Sequence, residues 1–88
     1  MPNIQAKPIA ILAEKLTSGF DYAKTNLHPR EIRLANRMVI GGNGQVYYVI
    51  CREEHLLGLE ISDYIIAPGF GKHDDAERIT ETARTRIR

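Results

Sequence analysis

From Pro8 onward the apolar residues Ile9, Leu12, Ala13, Leu16, Phe20 and Ala23 recur at intervals of three and four. That spacing gathers side chains on one face of a helix. Glu14, Lys15 and Asp21 fall elsewhere on the same wheel. Gly19 interrupts it, and either splits the helix or admits a close neighbour. Residues 26–29 read as punctuation, with Pro29 suited to the first turn of a second helix. In that second helix, Pro29 to about Met38, residues Ile32, Ala35 and Val39 share one side. Arg30, Arg33 and Arg37 line the opposite side, with Glu31 the only acid nearby.

Residues 45–52 change character. Their Val-Tyr-Tyr-Val-Ile content predicts a strand, and its near-continuous apolarity predicts cover on both faces or pairing at its edge. Residues 53–66 admit two readings. A helix would align Leu57, Ile61, Tyr64 and Ile65 but contain Gly58. The preferred reading is one turn of helix to Leu57, a stop at Gly58 and a strand from Leu59 to Ala67. Pro68 to Gly71 is loop. A final helix begins at Asp74, which Glu77 complements as a capping box. Its stripe is Ala76, Ile79, Ala83 and Ile87, with acids at its start and arginines at its end, as the helix dipole favours. The expected fold is α+β: two N-terminal helices, a short antiparallel sheet of two to three strands, and a C-terminal helix, all in one small domain spanning residues 1–88.

Composition narrows the class. Eighty-eight residues with 43% hydrophobic and 26% charged side chains suit a folded globular domain rather than a disordered chain. A core this small is marginal alone, so self-association, as a homodimer for instance, is expected. The single cysteine permits no internal disulfide, which fits a reducing, cytoplasmic setting. No apolar run is long enough to span a bilayer, so no membrane partner is expected. Met1 to Lys7 lacks the layout of a secretory signal. The net charge of +1 is unevenly spread: residues 1–40 hold six basic and three acidic side chains, residues 41–88 six and eight. That permits a local basic patch but not the overall excess of a nucleic-acid coating protein.

Candidate chemistry is sparse. Gly41-Gly42-Asn43-Gly44 lacks the third glycine of a dinucleotide fingerprint and precedes a strand instead of a helix, so it reads as a hairpin turn. Gly69-Phe70-Gly71-Lys72-His73 has the strand–loop–helix setting of a phosphate loop. Ile66 nevertheless stands where the first glycine belongs, and His73 where the magnesium-binding hydroxyl belongs. His28, His55 and His73 are scattered, and no zinc spacing occurs. Cys51 and His55, four apart, would meet only on a helix, whereas Cys51 reads as strand and as a small buried hydrophobe. Glu53-Glu54 and Asp74-Asp75 are adjacent pairs whose side chains diverge. No catalysis, cofactor or metal is expected. The arginine stripe remains, suited to phosphate oxygens or to a partner's carboxylates.

From Gly44 onward the chain resembles the AbrB/MazE-type swapped-hairpin DNA-binding domains. The matching pieces, within residues 44–67, are Gly44-Gln45-Val46, Leu57-Gly58-Leu59, and Asp63 before Tyr64-Ile65-Ile66. Cys51 stands near the place of that family's proline, Ser62 in place of its glycine, and the interval from Gly44 to Leu57 is longer than the family's by one residue. The resemblance implies an intertwined dimer on duplex DNA, with Arg33 and Arg37 the nearest basic residues. The function expected from the sequence is therefore a small non-enzymatic DNA-associated accessory or regulatory protein contacting phosphates through Arg30, Arg33 and Arg37. The alternative is a protein-interaction module, an inhibitor or antitoxin-like adaptor on an acidic partner surface, with Tyr47, Tyr48 and Tyr64 as aromatic anchors.

Overall fold

The segment after Pro8 is a strand before it is a helix. In a computed structural model that describes residues 7–88, β1 spans Ile9–Leu12 and α1 spans Leu16–Asn26. Residues 1–6, and with them most of the stretch read for a signal, lie outside the described residues. The expected first helix fails at its start because Ala10, Ile11, Leu12 and Ala13 are all fully buried. Ala10 and Leu12 enter one core cluster, Ile11 and Ala13 the other. Burial on both faces removes the polar half of the pattern, so the strand period of two is invisible in the sequence.

The expected second helix is absent. Pro29–Arg33 is strand β2, a 3-10 turn follows at Leu34–Asn36, and Met38–Gly41 is strand β3. Strand β4 is Val46–Ile50, β5 is Asp63–Ile66, and the closing helix α2 is Ala76–Thr85. Instead of a short antiparallel sheet there is one five-stranded mixed sheet in the order β2-β3-β4-β1-β5. Strands β2, β3 and β4 are antiparallel neighbours, whereas β1 lies between β4 and β5 and is parallel to both. The strands on either side of Leu57-Gly58-Leu59 thus each pair with β1. The edge strand β2 carries Pro29, a bulge and three charged residues, features that discourage further strand addition.

Each helix covers one face. On one, Phe20 and Ala23 of α1 pack with Ile11, Val39, Tyr47 and Val49; on the other, Ile79 and Ala83 of α2 pack with Leu12, Ile50, Leu56 and Ile61. Gly19 is where α1 approaches the sheet. A Cβ there would overlap Val49 Cγ1 and sit 3.2 Å from the Ala13 methyl. The glycine that weakens the helical pattern is what lets the helix lie close.

The glycine-rich segment is a turn, as its composition predicts. Gly44 donates to the Gly41 carbonyl at 2.9 Å, Gly41 donates to the Gln45 carbonyl at 2.8 Å, and Gly44 takes φ +87°. Three loop residues with the last left-handed is a standard hairpin closure. Residues 53–66 follow the preferred reading in order but not in extent. A 3-10 turn spans Glu53–Leu56 and Gly58 is left-handed at φ +72°. The strand expected from Leu59 to Ala67 is only Asp63–Ile66, with Ile61 in an isolated bridge to Ile87. The capping box does not form. Helix α2 starts after Asp75, which makes no side-chain cap bond.

Candidate functional site

Because β1, β4 and β5 run the same way, their C-terminal ends lie on one edge of the sheet. The start of β3 lies there too, since β3 is antiparallel to β4. In sheets with parallel strands this edge is where ligands bind, because the connecting loops and helix N-termini converge on it. Here Glu14, Lys15 and Leu16 leave β1, Cys51 and Arg52 leave β4, and Arg37 precedes β3. All line one open crevice of about 1440 Å³. That is wider than the roughly 300–1000 Å³ of an enclosing small-molecule pocket, so an occupant would remain partly in water.

Cys51 is the hub. Its N–H donates to His55 Nδ1 at 3.2 Å, and its carbonyl oxygen lies 2.6 Å from His73 Nε2. His73 Nδ1 accepts the Asp75 N–H at 2.9 Å, so Nε2 carries the ring proton and donates to Cys51. Two histidines far apart in sequence therefore hold the two main-chain groups of one residue. The strand assignment of Cys51 predicts that it stays apart from His55. The 3-10 turn after β4 instead brings the His55 ring to the main-chain N–H of Cys51 without a helix. No pattern in the sequence pointed to His73, which arrives from the loop after β5.

The site is electrically uneven. Burial pushes the Cys51 thiol above its ordinary pKa, while Arg52, Arg37 and the Leu16 N–H draw it back down. Burial also lowers His55, and Arg37 and Arg52 lower it further against a smaller opposing effect of Glu54. Both groups thus sense the same two guanidinium ions. The Leu16 N–H opens α1, an eleven-residue helix whose N-cap, Lys15, makes no side-chain cap bond. Its uncapped N–H groups present partial positive charge to the crevice.

Arg37 is held under constraint. It adopts φ +55°, ψ +32°, a left-handed conformation at the end of the Leu34–Asn36 turn. Its N–H donates to the Leu34 carbonyl at 3.1 Å and its carbonyl accepts the Val49 N–H at 2.8 Å. Its Nε is buried without a hydrogen-bond partner, a condition shared among the described side chains only by Arg86, another crevice residue. Left-handed backbone costs a non-glycine residue about 1 kcal/mol or more, and an unsatisfied buried donor adds to that. Local stability does not explain an arginine here.

The three arginines of the expected helix face are not together. Arg30 and Arg33 lie on β2 and are exposed, and Arg33 donates to Glu31 at 2.6 Å, two residues earlier. That contact lowers the Glu31 carboxyl and raises Arg33. Arg30 falls at the β2 bulge, between the paired residues Pro29 and Glu31. Only Arg37 reaches the crevice. Among the expected aromatic anchors, Tyr47 is a core residue at 9% exposure, while Tyr48 and Tyr64 are half-buried against the α2 cluster. Tyr64 also accepts a bond from Arg84 Nε at 3.4 Å. Tyr47 is therefore spent on packing.

No protein family, curated protein or solved structure matches the chain. Among the described residues no helix is long and apolar enough to cross a membrane, and no three His, Cys, Asp or Glu side chains gather as a metal site would require.

Proposed function

We propose that this chain is a non-enzymatic binding module that holds a phosphate group in the crevice at the ends of β1 and β4. The observation that carries the reading is Arg37, kept left-handed at the wall of a crevice it shares with Arg52 and the open N-terminus of α1. Phosphate oxygens accept from backbone N–H groups and guanidinium forks together, and a helix N-terminus flanked by Arg37 and Arg52 offers both.

Binding is favoured over catalysis by how the reactive groups are occupied. Both nitrogens of His73 and Nδ1 of His55 are committed to main-chain groups. The thiol of Cys51, raised by burial, is protonated at neutral pH and is a poor nucleophile. The phosphate contact expected from the sequence is retained, but at one site that keeps Arg37 and replaces Arg30 and Arg33 with Arg52 and the α1 N-terminus.

Heteronuclear NMR titration with inorganic phosphate tests the reading. Saturable shifts at the amides of Leu16, Thr17, Arg37 and Cys51 are expected, and they should vanish in Arg37→Gly. A parallel titration with a duplex oligonucleotide distinguishes the DNA reading: tighter binding with shifts along β2, at Arg30 and Arg33, would return the function to DNA. No shifts with either ligand would refute the proposal.

A further inference from the structure

The crevice has a second chemical character besides its cations. Of the five large hydrophobic side chains exposed among the described residues, Leu16, Leu34 and Leu57 line it. Leu34 and Leu57 are the most exposed of all, at 66% and 69%. Single exposed leucines need no explanation, but a group of them on one concave rim does.

Their placement is fixed by the chain. Leu34 opens the 3-10 turn that Arg37 closes, and its carbonyl accepts the Arg37 N–H at 3.1 Å. Leu57 ends the turn after β4, its N–H held by the Glu54 carbonyl at 3.2 Å. It stands between fully buried Leu56 and left-handed Gly58, so its neighbour anchors the turn while it faces outward. Both leucines therefore sit on closed turns attached directly to the cationic residues. A bare inorganic phosphate would satisfy the cations and leave this rim in water.

Resting on the reading under Proposed function, we infer that the crevice takes an organic phosphate monoester, its phosphate at Arg37, Arg52 and the α1 N-terminus and its apolar part against Leu34 and Leu57. Charge limits the ligand's length. Glu14, Glu53, Glu54 and Asp75 also line the crevice. Glu53 is paired with Arg78 and Glu54 with Arg52 itself, each at 3.9 Å, so Arg52 turns from Glu54 to the incoming phosphate. A polyphosphate or a nucleic-acid strand would carry further negative charge past these carboxylates, and the chain's net charge of +1 supplies no wider attraction. One phosphate joined to an apolar body matches both the cations and the rim.

Isothermal titration of the intact chain with inorganic phosphate, phenyl phosphate and a 5′-phosphorylated single-stranded hexanucleotide tests this. Phenyl phosphate should bind at least tenfold tighter than inorganic phosphate. The double variant Leu34→Ser, Leu57→Ser, exposed positions whose exchange leaves the core intact, should bring phenyl phosphate down to the affinity of inorganic phosphate without changing the latter. Equal affinities of the two small ligands in the native chain would overturn the rim's role while leaving the phosphate site standing. A hexanucleotide that binds tighter than phenyl phosphate would overturn the short-ligand claim. Failure of all three to bind would remove the phosphate site itself.

Discussion

His73 donates from Nε2 to the carbonyl oxygen of Cys51 at 2.6 Å, across a sequence separation of 22 residues. The bond ties the loop after β5 to the end of β4, although those strands are not neighbours in the sheet. The same imidazole accepts the Asp75 N–H just before α2, so one side chain fixes both the β4 terminus and the approach to the helix. Replacing His73 by alanine strands an acceptor and a donor. A loss of about 1–3 kcal/mol is expected for such an unsatisfied group, read as a lower midpoint in urea denaturation. A midpoint unchanged within error would show that water replaces the imidazole at no cost.

His55 gives the fold a defined pH response. It accepts the Cys51 N–H through Nδ1, which requires that nitrogen to be unprotonated. Burial first, then Arg37 and Arg52, hold its pKa below the ordinary value. The unfolded chain, with a histidine pKa near 6.5, therefore takes up the proton first as pH falls. Its contribution to stability is fully present above about pH 6.5, declines as pH drops below that, and is gone once pH passes the lowered folded-state value. Urea midpoints measured between pH 8 and pH 5 should fall across this window. In His55→Gln, whose amide oxygen can still accept the Cys51 N–H, the fall should be shallower. An equally steep fall in the variant would assign the response to other groups.

Gly19 is required by packing and disfavoured by helix propensity, and the two effects oppose each other in one substitution. Alanine would gain about 1 kcal/mol of propensity. Its Cβ would overlap Val49 Cγ1, on a fully buried branched side chain. Overpacking of that kind costs about 1–3 kcal/mol, so Gly19→Ala should be net destabilising. Gly19→Ala with Val49→Ala should recover part of the loss in a double-mutant cycle, since the overlapping atom is then absent. Thermal denaturation of the four chains decides it; strict additivity would disprove the contact.

Which parts of this architecture could be read from the chain follows from how many faces each segment buries. Helix α2 was legible because Ile79 and Ala83 are buried while Glu77, Arg78 and Glu81 are exposed, the one-sided pattern of a surface helix. The hairpin at Gly44 was legible because left-handed backbone nearly demands glycine. Strand β1 was not, since Ala10 to Ala13 have no exposed partners to mark a period. Strand β2 mimics a helix for a different reason. A charged edge strand followed by a 3-10 turn places Arg30, Arg33 and Arg37 at intervals that also fit a helix. The crevice escaped notice because its residues come from the ends of separate elements, and only the parallel arrangement around β1 brings those ends together.

Cys51 reports on the electrostatics of the crevice. Burial raises its thiol, and Arg52, Arg37 and the Leu16 N–H oppose that rise. Alkylation by iodoacetamide at pH 8 should be slower in the native chain than in urea, since only the thiolate reacts. Removing Arg37 takes away one of the groups that stabilise the thiolate, so the native rate in Arg37→Gly should fall further if access to the sulfur is unchanged. A native rate above the unfolded one would mean that the cations outweigh burial, and would reopen a nucleophilic role.

Arg37 separates function from stability most sharply. At φ +55° a glycine is more comfortable than any side chain, and relief of left-handed strain is worth about 1 kcal/mol. Glycine also removes a buried Nε that has no partner. Against this, glycine loses more backbone entropy on folding, by roughly 0.5–1 kcal/mol. The balance for Arg37→Gly should fall between no change and a gain of about 1 kcal/mol, measured by urea denaturation. Phosphate binding should be lost in the same variant. Arg37→Lys keeps a positive charge but not the planar fork, so it should retain the native fold with weakened binding. A clear loss of stability in Arg37→Gly would mean that the guanidinium is structural, held in place by the fold instead of poised for a ligand.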